Sequence, residues 1–156
     1  MGMYTKFEFD ARIKAEALAD TRIREVLEDL ATGRRWGAPD KAPCPDIDHP
    51  FLRASRWYGV GVNCDYGWPE DGVGSSSLDG QALRLRGNLK NYDGEIELFL
   101  AWVAPYLDEE KGTELGFSHY EQDSTPTSLV LDEDPEGNPV VTSLYVAILS
   151  RRGGLT

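Results

Sequence analysis

Two stretches of the chain alternate strictly between apolar and charged side chains. From Met3 to Lys14, Thr5, Phe7, Phe9, Ala11 and Ile13 alternate with Tyr4, Lys6, Glu8, Asp10 and Arg12; further on, Leu83, Leu85 and Leu89 alternate with Arg84, Arg86, Asn88 and Lys90. In an extended backbone every second side chain shares a face, so each stretch predicts a strand with one apolar and one polar face. A sheet of such strands must cover its apolar side with another layer.

Helices supply that layer. Asp20 stands as an N-cap before Ile23, Val26, Leu27 and Leu30, which recur at helical spacing, and Gly33 supplies the C-terminal stop. Asp93 opens a second helix to about Leu107, with Ile96, Phe99, Leu100 and Val103 as its buried stripe. Glu95 and Glu97 suit its positive end, and Pro105 distorts its last turn. A strand candidate from about Arg53 to Cys64 is interrupted by Gly59 and Gly61. Leu115–Glu121 reads as another strand, and Ser128–Leu131 with Val140–Leu149 as a hairpin about the turn-rich 132–139 stretch. The order βαββαβ plus a hairpin predicts an α+β chain, a ferredoxin-like βαββαβ two-layer sandwich with an added C-terminal β-hairpin strand, in one domain over residues 1–156. In that arrangement the first and third strands are central neighbours. Lys6, Glu8, Asp10 and Arg12 then border Arg84, Arg86, Asn88 and Lys90 on the face without helices, where opposite charges pair across strands.

The 156 residues carry a net charge of −11. That charge is regional: Asn91 to Glu136 holds thirteen acids and one base, Lys111, and the remainder is close to neutral. Such a region repels nucleic acid and anionic lipid and attracts basic partners. The start of the chain lacks a secretory pattern, and no apolar run reaches the roughly 18 residues of a membrane span. With Cys44 and Cys64 as the only cysteines, the chain reads as a cytoplasmic protein with two free thiols.

Motif by motif, the chemistry is thin. Cys44, His49, Cys64 and His119 are zinc-ligand types without zinc spacing, so free thiols and surface or capping histidines are the plainer reading. Asp132, Asp134, Glu136 and Gly137 imitate the start of a calcium loop, but Ser143 stands where the bidentate Glu belongs, which leaves a hairpin turn. His119 and Glu121 lie two apart on one strand and would share a face, where an acid/base pair would form. No nucleophile elbow, phosphate loop or dinucleotide turn is present, so neither a catalytic set nor a cofactor is assigned. A ligand site near residues 34–64 would be lined by Arg34, Arg35, Trp36, Trp57 and Tyr58, at the end of a long loop of the kind that carries function. The bare strand face bearing Lys6, Glu8, Asp10, Arg12, Arg84, Arg86 and Lys90 is a candidate interaction surface. Its lack of central aromatics argues against RNA.

Met3-Tyr4-Thr5-Lys6-Phe7-Glu8-Phe9, the run Asn88 to Glu97 continuing through Phe99 to Leu107, and Gly116-Phe117 with Thr125-Pro126-Thr127 resemble a group of small bacteriophage and prophage proteins. The resemblance carries no activity and no functional residue. It implies an accessory protein in the host cytoplasm that acts by binding. The expectation is therefore a non-enzymatic chain that binds a basic protein partner through its acidic region. The alternatives are a small enzyme or nucleotide-ligand binder with its site at 34–64, and a structural homo-oligomer.

Overall fold

The structure, a computed structural model, describes residues 3–33, 35, 46–62 and 76–143. Strand β1 (Thr5–Arg12) leads into the short helix α1 (Ala15–Ala19) and then α2 (Thr21–Thr32). Asp20 caps α2 by accepting a hydrogen bond from the Arg22 backbone N–H, and Gly33 ends it in the left-handed conformation. A four-residue helix α3 (Pro50–Arg53) and a 3₁₀ turn at Trp57–Gly59 precede the short strand β2 (Ser77–Asp79) and β3 (Ala82–Leu89). Helix α4 (Glu95–Val103) runs into a 3₁₀ turn, Ala104–Tyr106, that contains Pro105. Strands β4 (Glu114–Tyr120), β5 (Thr127–Glu133) and β6 (Pro139–Ser143) follow.

All six strands form one antiparallel sheet in the order β2-β3-β1-β4-β5-β6. The chain is thus mixed α and β, with one six-stranded antiparallel sheet where a four-stranded sandwich with an added C-terminal hairpin strand was expected. The expected strand over Arg53–Cys64 is absent from its described part: residues 50–53 are helical and 57–59 form the 3₁₀ turn. Gly59, Val60 and Gly61 at consecutive positions are all buried, which an alternating strand on a half-wet sheet does not allow. Instead the backbone of this segment closes the outer edge of β3 beyond β2. Asn88 donates its N–H to the Val62 carbonyl at 3.1 Å, and the Ser76 hydroxyl accepts from the Arg86 N–H at 2.9 Å.

β1 lies between β3 and β4, with Phe9 opposite Leu85 and Phe7 opposite Ser118. Phe7, Phe9, Leu83, Leu85 and Leu89 are buried together with Val26, Leu27 and Leu30 of α2 and Ile96, Phe99 and Val103 of α4. Phe99 meets Phe7 and Phe9 edge-on at 6.0 and 5.3 Å, and Phe51 of α3 meets Phe99 and Trp102 at 5.5 and 5.6 Å. These ring pairs seat α4 on the apolar face of β1 and α3 against α4. Gly116, at φ +144° in a β-bulge of β4, brings that strand so close to β1 that a Cβ would lie 2.0 Å from the Glu8 carbonyl oxygen.

Candidate functional site

The helix-bearing face of the sheet is filled over β1 and β3 but carries a cleft of about 430 Å³ where α4 begins. Three neighbouring strands build the floor: Thr5 of β1, Ser118 and Tyr120 of β4, and Thr127 of β5. Their positions follow from the register, which sets Thr5 opposite Tyr120 and Ser118 opposite Thr127. One wall is the turn into α4, with Asn91, Tyr92 and Glu97; Met3 and Asp123 stand at the rim. The size falls within the ordinary range of small-ligand sites, roughly 300–1,000 Å³.

The α4 turn is rigidly built. Gly94, not Asp93, occupies the N-cap, in the left-handed conformation, and the Asn91 side-chain oxygen takes the helical N–H of Ile96 at 2.9 Å. The amide of the same Asn91 donates to both carboxylate oxygens of Glu97, at 3.1 and 2.8 Å. One side chain therefore caps the helix and orients an exposed carboxylate over the cleft. Tyr92 is held too, its hydroxyl accepting from the Met3 N–H at 3.1 Å. Tyr92 and Met3, at 64% and 37%, are the large apolar side chains most exposed among the described residues, and both line this cleft.

The floor is polar and short of partners. Thr5 is 8% exposed, yet its hydroxyl makes no hydrogen bond to another described residue, and the hydroxyls of Ser118, Tyr120 and Thr127 make none either. The Thr5 hydroxyl is not sealed from solvent and is open to a ligand in the cleft.

On the helix-free face the register sets Lys6 opposite Asn88, Glu8 opposite Arg86, Asp10 opposite Arg84 and Arg12 opposite Ala82. Arg86 is 9% exposed and lies 2.8 Å from Asp10 and 3.7 Å from Glu8. Arg12 pairs with Asp108 at 3.4 Å and donates to the Gln81 side chain. Lys90 sits over the Tyr4 ring at 5.7 Å. This face is laced by its own charges, and at Arg86 and Asn88 it is buried rather than open.

Of the residues expected at the 34–64 ligand site, Arg34 and Trp36 lie outside the described residues. Arg35, Trp57 and Tyr58 do come together, but as packing: Arg35 forms an ion pair with the fully buried Asp29 and lies over the Trp57 ring at 5.3 Å. Trp57 is 5% exposed and meets Tyr58 edge-on. The charge of Arg35 and the face of its guanidinium thus both have partners within the fold.

Cys44 and Cys64 lie outside the described residues, and among the described residues no three metal-ligating side chains cluster. His49 is a helix cap, its Nδ1 accepting the Phe51 N–H of α3 at 3.1 Å. His119 and Glu121 do not meet as a pair. His119 bonds the Asp123 carbonyl, whereas Glu121 accepts the Tyr4 N–H, because the strand ends at Tyr120 and the turn redirects Glu121. Asp134 closes the hairpin turn by accepting from the Glu136 and Asn138 N–H groups.

Sequence reasoning missed the cleft. Thr5 read as a plain strand residue, and the contact of the β1 start with the α4 turn spans most of a ninety-residue separation. The available signal was two-fold: Tyr92 is apolar yet outside the helical stripe, and Thr5 is polar yet on the apolar face. Compared with known protein families, with curated proteins and with solved structures, the chain finds no match.

Proposed function

We propose that this chain is a non-enzymatic binding module that takes a basic protein partner at the cleft between the α4 turn and β1, β4 and β5. One observation carries the reading: the most exposed apolar side chains, Met3 and Tyr92, share a concavity with the carboxylates of Glu97 and Asp123. An apolar body beside fixed negative charge suits a long cationic side chain, whose stem is apolar and whose head is charged. The surrounding charge has the right sign, since thirteen of the chain's acids fall between Asn91 and Glu136. The resemblance to phage and prophage proteins agrees with an accessory role of this kind inside a host cell. We further read β1, α2, β2, β3, α4 and β4 as a ferredoxin-like unit extended by β5 and β6. The support is that β1 has β3 and β4 as antiparallel neighbours and that β2 flanks β3.

Isothermal titration with lysine- and arginine-rich peptides tests the reading. Binding is expected at low ionic strength, weakening as salt screens the exposed charges over a Debye length of about 10 Å at 0.1 M. Glu97→Gln combined with Asp123→Asn is expected to reduce affinity at least about tenfold, as loss of charge-assisted contacts does. Equal binding of acidic and basic peptides, or an unchanged affinity in the double variant, would sink the proposal.

A further inference from the structure

We infer that the cleft is a receptor for a single arginine side chain of that partner, an inference that rests on the cation-binding reading above. Thr5, 8% exposed, lines the cleft with a hydroxyl that makes no hydrogen bond to another described residue, and Ser118 and Thr127 add hydroxyls from the next two strands. With the carboxylates of Glu97 and Asp123, the cleft presents acceptors from its floor, its wall and its rim. An ammonium is a compact, strongly hydrated point charge whose three donors rotate freely on a flexible stem. A guanidinium carries five N–H donors in a rigid plane and is matched only by acceptors spread around it.

The aromatic wall points the same way. Tyr92 is 64% exposed and is tethered through its hydroxyl to the Met3 N–H, which presents a fixed ring rather than a mobile one. Planar guanidinium groups stack on such rings. Glu97 is already oriented by Asn91, which uses one acceptor position on each oxygen and leaves the others for a ligand. That preorganisation favours a directional, fork-shaped donor over a freely rotating one.

The arginine belongs to a protein rather than to a free small guanidine. Exposed acids continue past the cleft at Asp93 and Glu121, where basic residues flanking the arginine in a peptide find partners and a small molecule has none to offer.

Amide-detected NMR titration of the full chain decides the matter, using neutral-capped pentapeptides that differ only in a central arginine, lysine or citrulline. The arginine peptide is expected to shift Thr5, Tyr92, Ser118 and Thr127 saturably and to bind more tightly than the lysine peptide, with citrulline silent. Thr5→Val removes only the hydroxyl. It is expected to weaken arginine binding by about tenfold, the worth of one hydrogen bond to a charged group, while leaving the unfolding midpoint unchanged or raised. Adding flanking lysines is expected to tighten binding, and N-acetyl-arginine amide to bind more weakly than either peptide. Equal affinities for arginine and lysine in the cleft, or an unaltered affinity in Thr5→Val, overturn the inference and leave the basic-partner reading standing. Shifts confined to another surface overturn the cleft itself. Silence from every cationic peptide, flanking lysines included, overturns both.

Discussion

At Gly116 one hydrogen atom decides how closely two strands approach. Its φ of +144° is one that side chains rarely adopt, and a Cβ would lie 2.0 Å from the Glu8 carbonyl oxygen and 2.7 Å from the carbonyl carbon. Gly116→Ala is therefore expected to destabilise the fold by at least about 2 kcal/mol, read as a lowered urea midpoint, because strain and a backbone clash add. His49 makes a prediction of a different kind. Burial first, and the Arg53 guanidinium second, lower its pKa below the usual 6.5, and its neutral ring accepts the Phe51 N–H. As pH falls, the unfolded chain takes up the proton before the folded one does. The stability this ring contributes is whole above about pH 6.5 and is lost as pH falls through the lowered folded value. Asparagine keeps a capping acceptor without titrating. His49→Asn is thus expected to flatten the pH dependence of the unfolding midpoint in that window, and an equally steep dependence would place its origin elsewhere. Neither residue announced its role in the sequence: Gly116 is ordinary until the bulge sets β4 against β1, and His49 until Pro50 begins a helix.

Among the elements, the long amphipathic ones were legible. β1, β3, α2 and α4 were readable because their periodicity runs over two or more turns or several alternations, and Asp20 and Gly33 mark the ends of α2 as read. Short elements were not. α3 has four residues, too few to show a period, and it is helical because Phe51 wedges among Trp57, Phe99 and Trp102 at 5.9, 5.5 and 5.6 Å. This predicts that α3 is held by that ring rather than by its own propensity. Phe51→Ala is expected to cost about 3–5 kcal/mol and to reduce the near-ultraviolet circular dichroism of the tryptophans. A loss well under that range would mean that α3 docks by other contacts. The Arg53–Cys64 strand was misread for the same reason: a few apolar residues between glycines satisfy several templates, and only the neighbours that bury Gly59, Val60 and Gly61 in succession select one.

For the whole molecule, the charge distribution sets the behaviour. With a net charge of −11 gathered largely in the second half, the folded chain repels itself. Raising the salt from low to physiological ionic strength is expected to raise the thermal unfolding midpoint, because it screens that repulsion more than it weakens a shielded pair such as Arg86 with Asp10. A falling midpoint would show that ion pairs dominate instead. Charge sign and its location are properties of composition, as are the two-faced strands and the apolar stripes of the long helices, so the sequence alone determined them. The cleft is different in kind. It joins Met3 and Thr5 to Asn91, Tyr92, Ser118 and Thr127, residues brought together only when β1 enters between β3 and β4 and α4 settles across it. The same packing set Arg35 against the Trp57 ring and paired it with Asp29. The physical reason is that periodicity reports which face a side chain takes within its own element. Which groups remain unmatched depends on contacts far apart in the chain, and those exist only once the sheet has closed.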